Sequence, residues 1–238
     1  MHFLQLLASE EAGLEELQRH RCEVEVLDAV RRHPHSDEIH LDGCIIINAV
    51  MLNSDEARDE LIRRGGVEEI VSTLKEYTRS EQTTDRAFWA LQQMTLAAEG
   101  RERLARSVDV VVESMRQHAA SAVVQEAGCG VLLNLAFEPE GAWSVASSGG
   151  IDVILMAMER HEANRDVQDT AVPALTNIGC YPELQDGIVS GGGYARLRKL
   201  TEAHRDLAED EHVQAMLQAL EARHEGGAPG PTVPTVGH

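Results

Sequence analysis

Aromatic side chains are scarce: Phe, Trp and Tyr make up 3% of the 238 residues. A hydrophobic fraction of 43% is therefore met by Leu, Val, Ile, Ala and Met, and small aliphatic cores of that kind suit stacked helices. Lysine is almost missing, with only Lys75 and Lys199 beside 19 arginines. Basic residues of both kinds are outnumbered, 21 against 40 acidic, for a formal charge of −19. A surface of that sign repels a phosphate backbone and argues against direct binding of nucleic acid.

Cysteine is sparse too. Cys22, Cys44, Cys129 and Cys180 show no CxxC pairing, and three of them fall in apolar helical runs where a free thiol behaves as a small hydrophobe. The expectation is an intracellular, reducing compartment, the cytoplasm. Residues 1–7 lack a basic segment and are soon followed by Glu10 and Glu11, which argues against a secretory signal, whereas an organellar presequence already removed stays open. The longest apolar run, residues 43–52, is about half a membrane span and contains Asn48, so no transmembrane segment is expected. GxSxG, HExxH and Walker sequences are missing as well, which leaves no catalytic nucleophile, no cofactor motif and no enzyme reading.

What the chain does have is repetition. Residues 124–136 (VQEAGCGVLLNLA) return 43 residues later as residues 167–179 (VQDTAVPALTNIG). Gly149-Gly150 matches Gly65-Gly66 two periods earlier and Gly191-Gly192 one period later. A period near 42 signals stacked helical repeats.

Five units can be laid out, each a short helix, a break, a second helix of about ten residues, a polar turn and a longer third helix. Second helices start near Val24, Val67, Val108, Ile151 and Tyr194. Each carries an apolar pair three residues apart: Leu27 and Val30, Val71 and Leu74, Val112 and Met115, Leu155 and Met158, Leu197 and Leu200. Third helices are predicted over about residues 36–52, 81–98, 121–137, 165–179 and 209–223, several after a Ser or Asn able to cap them. Gly-Gly supplies a left-handed turn before the second helix, and Ser107 stands where the third unit lacks it. Residues 225–238, rich in Gly and Pro, read as a flexible tail beyond an array covering residues 1–224.

Three helices per unit, Gly-Gly before the second and apolar-Asn-apolar closing the third (Leu133-Asn134-Leu135, Thr176-Asn177-Ile178) resemble armadillo repeats over about residues 12–223. The resemblance implies an all-α, right-handed superhelical solenoid with degenerate terminal repeats, whose third helices line a concave groove. It also implies a ladder of amides that holds an extended peptide by its backbone, and Asn48, Gln93, Asn134 and Asn177 occupy the matching positions. Four residues before each stand Cys44, Trp89, Gly130 and Pro173, where importin-α-like relatives keep Trp, so only Trp89 preserves that wall. Pro173 is expected to bend its helix. Four residues earlier again are Asp85, Glu126 and Asp169, with His40 in the first unit. Helical spacing puts carboxylate, slot and amide on one stripe, an acidic edge for Arg or Lys of a ligand.

A bland reading accompanies each feature. An Asn at a helix end can satisfy a neighbouring turn, and acidic columns are common in a chain this acidic. His33, His118, His161 and His204, with Tyr77 between the first two, form a column at the ends of second helices, which repetition explains without a metal. Trp143 is either core or an exposed anchor, core being the favoured expectation. The function expected is a noncatalytic protein-binding scaffold or adaptor, a subunit of a larger assembly, with a tail that could act as a second tether. The alternative is an importin-α-like receptor for basic peptides.

Overall fold

The computed structural model describes residue 13 and residues 21–52 and 54–225, and every regular element among them is helical. The readings of the first residues and of the Gly/Pro-rich tail after Glu225 lie outside the described residues. The chain divides into two compact units, Met1–His118 and Ala119–His238.

The first unit contains α1 (Cys22–Arg32), α2 (Asp37–Leu52), α3 (Asp55–Arg63), α4 (Gly66–Glu76), α5 (Glu81–Met94), α6 (Ala98–Leu104), a 3-10 turn (Ala105–Ser107) and α7 (Val108–Gln117). The second contains α8 (Ala122–Leu135), α9 (Pro139–Ser147), α10 (Gly150–Arg160), α11 (Arg165–Gly179), α12 (Pro182–Ser190), α13 (Gly193–Ala203), α14 (Arg205–Glu209) and α15 (Glu211–His224). Third helices pack on one another most extensively, α2 on α5 and α8 on α11, while α15 rests on α11 and α12.

All ten residues of the second-helix pairs are buried. Each such Leu, Val or Met contributes roughly 1.5–3 kcal/mol by leaving water, which decides why helices of only ten or eleven residues hold together. Starts are fixed by side chains: Ser54, Ser80, Ser121 and Asn164 each accept a backbone N–H three residues on. Helix α5 ends at Met94, short of the expected end. The Thr95 hydroxyl donates to the Leu91 and Gln92 carbonyls, and extended Ala97 then opens α6. Pro173 sits inside α11, which continues to Gly179.

Gly65, Gly149 and Gly192 take φ of 80°, 81° and 81°. At Gly149 the left-handed residue turns α9 into α10 through 74°. Ser107, the last residue of the 3-10 turn, makes the corresponding connection with φ −139°, so no glycine is required. The first repeat lacks a Gly pair but not the conformation: Arg21, φ 51°, supplies it ahead of α1.

Candidate functional site

In the first unit, α5 carries Asp85, Trp89 and Gln93 at intervals of four. The Trp89 indole N–H donates to Asp85 Oδ1 at 3.1 Å, and Arg86 Nε lies 3.5 Å from Asp85 Oδ2. Asp85 is 8% exposed. Burial pushes its carboxyl above the usual carboxylate range, with Arg86 and the indole N–H pulling it partly back. The open acidic edge expected at Asp85 is corrected: this carboxylate is enclosed and holds Trp89. Trp89 and Gln93 are half-buried, and so is Asn48 on α2, whose Oδ1 is enclosed without a hydrogen-bond partner. Cys44, one turn before Asn48, is 1% exposed, and burial pushes its thiol up to about 12, so it is neither a wall nor a nucleophile.

The second unit corrects the amide ladder. Asn134 is 2% exposed and Asn177 is fully buried. Asn177 Nδ2 donates to the Leu133 carbonyl at 3.3 Å, tying α11 to α8. Within this unit α11 lies between α8 and α15, which encloses Asn177, and a buried amide must find its partner inside. Glu126 is half-buried. Asp169 is exposed and 2.6 Å from Arg165 Nε one turn earlier, so its charge is already shared with a cation of its own helix. Gly130 is buried and Pro173 half-buried.

Sequence reasoning passed over Gln168, whose side chain donates to the Met158 and His161 carbonyls at the end of α10, both at 3.0 Å. Its signal was in the repeat itself, since Gln125 holds the same register and is equally buried. A group of aromatics was passed over as well. Trp143, expected in the core, is 49% exposed. The inner face of α9 consists of Gly141, Ala142 and Val145, and Trp143 projects from the other side. Phe137, 37% exposed, precedes α9, and Tyr181 Oη donates to the Phe137 carbonyl at 3.4 Å. The Tyr181 hydroxyl is raised by burial, then by Cys180, Glu140 and Glu138.

Among the described residues, no group of three His, Cys, Asp or Glu could hold a metal ion, and no single helix is long and apolar enough to cross a membrane. The helices thus offer surfaces built on repeated third helices and on the corners that follow them. The family described as "LRRK2 ARM repeat" matches residues 4–225. The chain belongs to the LRRK2 ARM repeat family. This establishes the armadillo fold, a fold generally used as a protein-binding scaffold. Three crystal structures of engineered proteins are similar to this chain, each over 94% of it. One is 23% identical with a TM-score of 0.73, covering 88% of its own chain. A second is 22% identical with a TM-score of 0.73, covering 53%. A third is 19% identical with a TM-score of 0.71, covering 90%. At these identities the likeness concerns the fold alone. Comparison with curated proteins gave no match.

Proposed function

We propose that this armadillo chain is a noncatalytic protein-binding scaffold or adaptor that works as a subunit of a larger assembly. The observation that carries the reading is the fixed indole of Trp89. A large aromatic held in one orientation loses little freedom when a partner covers it, which is the property of an interface anchor. Gln93, one turn on and half-buried, adds an amide that can donate and accept. The four cysteines, none of them in a disulfide, support an intracellular, reducing setting.

An importin-α-like reception of basic peptides along the third helices draws support from Trp89 alone. Cys44, Gly130 and Pro173 fill the other slots, and Asp85 and Asp169 are already engaged.

The experiment is affinity purification from native lysate with identification by mass spectrometry, comparing the natural chain with Trp89→Ala. A discrete set of proteins lost on that substitution supports the reading. Recovery of the chain alone, or an identical set with Trp89→Ala, sinks it.

A further inference from the structure

The corner where α8 passes into α9 is built differently from the α5 surface. In a chain with 3% aromatics, Phe137 and Trp143 lie six residues apart there, both exposed, and Tyr181 is bonded to the Phe137 carbonyl. Burial, then Cys180, Glu140 and Glu138, raise the Tyr181 hydroxyl's pKa. Glu140 and Trp143 are three residues apart on α9, both exposed, and so share one helix face.

Elsewhere the acidic residues are commonly matched from within. Asp169 has Arg165, Glu99 has Arg103, Glu159 has Arg196 and Glu162 has Lys199. Between Arg116 and Arg160 the sequence contains no Lys or Arg at all, and the corner lies in the middle of that stretch. Glu140 makes no ion pair with any described residue.

We propose that this corner of the second unit, Phe137, Glu138, Glu140, Trp143 and Tyr181, binds an arginine side chain presented by a partner protein. A guanidinium stacks flat on an aromatic face while its edge N–H groups donate to carboxylates, and the corner presents both beside each other. Lysine meets the charge but not the planar fork. The net charge of −19 favours a basic partner and opposes a second copy of this chain. The proposal rests on the protein-binding reading of the fold but not on Trp89.

The probe is a fluorescein-labelled peptide with three arginines separated by Gly-Ser, followed by anisotropy on the full chain at low and at 0.15 M salt. Peptides with citrulline or lysine in place of arginine serve as comparisons. The expected result is binding that weakens with salt, about tenfold or more loss with citrulline and a smaller loss with lysine. Trp143→Ala and Glu140→Gln should each weaken the arginine peptide about five- to tenfold while leaving the melting temperature unchanged, since both side chains are exposed. Failure of the Trp89 capture experiment with survival here would remove the third-helix reading alone. The proposal is overturned if the arginine peptide does not bind, if citrulline binds as well, or if neither corner substitution weakens it. A dimer that Trp143→Ala dissociates would also overturn it, by assigning the corner to self-association.

Discussion

His161 Nε2 lies 2.9 Å from the carbonyl oxygen of Ala119. His161 caps the second helix α10, and Ala119 directly follows His118, the cap of α7. The first unit repeats the device: Tyr77 Oη donates to the Pro34 carbonyl at 2.9 Å, and His118 Nε2 lies 3.0 Å from the Thr78 carbonyl. Each ring reaches the residue just after the preceding cap. Tyr77, His118 and His161 thus each tie a helix end to the turn that follows the preceding cap.

Loss of one tie should be measurable. His161→Ala leaves the Ala119 carbonyl without its donor, at a cost of about 1 kcal/mol, which lowers Tm by roughly 2–4 °C for a chain of this size. Tyr77→Phe tests the same bond in the first unit without opening a cavity, and thermal denaturation reads both. An unchanged Tm in the two variants would make these ties incidental.

His40 gives the first unit a pH dependence of known sign. The Thr73 hydroxyl donates to the Glu69 carbonyl at 3.1 Å, so it accepts from His40 Nδ1–H at 2.8 Å. Nε2 is then a bare acceptor, enclosed without a partner, in a ring 4.8 Å from that of Tyr77. Burial lowers the His40 pKa below 6.5, opposed by Glu69, the His33 backbone, Asp37 and Glu76. The folded state holds fewer protons than the unfolded one. Stability is therefore complete above about 6.5 and falls as pH drops through that value toward the folded pKa. Melting curves from pH 7.5 to 5.5 should show this fall, and His40→Phe should flatten it.

Helix periodicity, caps and glycine breaks were legible because they depend on neighbours in sequence. The apolar pairs of the second helices and the caps Ser80, Ser121 and Asn164 follow from spacing alone. Side-chain orientation across helices was not legible. Asn134 and Asn177 read as open rungs by register, yet what encloses them lies a full repeat away: the acceptor of Asn177 is Leu133. Trp143 shows the reverse error. Its size suggested the core, while the short sequence Gly141-Ala142-Trp143-Ser144-Val145 already places the small residues and Val145 on the opposite face.

The helix breaks should differ in what they tolerate. Gly149→Ala forces a Cβ into φ 81° and should cost about 1 kcal/mol or more. Ser107→Gly removes no left-handed requirement, because φ there is −139°, and it should change stability by less than that. Chemical denaturation of both variants checks the contrast. Equal losses would mean that the left-handed turn is not what the glycine provides.

Asp85 separates positioning from attraction. Its folded pKa is raised above the unfolded value of 3.8, chiefly by burial, so its contribution to stability is present below that pH and lost as pH rises through the folded pKa. At neutral pH the ionised side chain is a cost. Asp85→Asn removes the charge and keeps an oxygen to accept from the Trp89 indole, so it should raise Tm at pH 7 while leaving the indole where it is. Asp85→Leu removes the acceptor too and leaves a half-buried N–H unpaired, which should free the ring. Trp89 emission, isolated with Trp143→Phe, reads the difference: unshifted with Asn, shifted to longer wavelength with Leu. Affinity for a captured partner should follow the emission if Asp85 acts by holding Trp89. If Asn and Leu weaken capture equally while the Asn variant keeps its emission, the charge itself is what the partner reads, and Asp85 returns to the role its place on the stripe suggested.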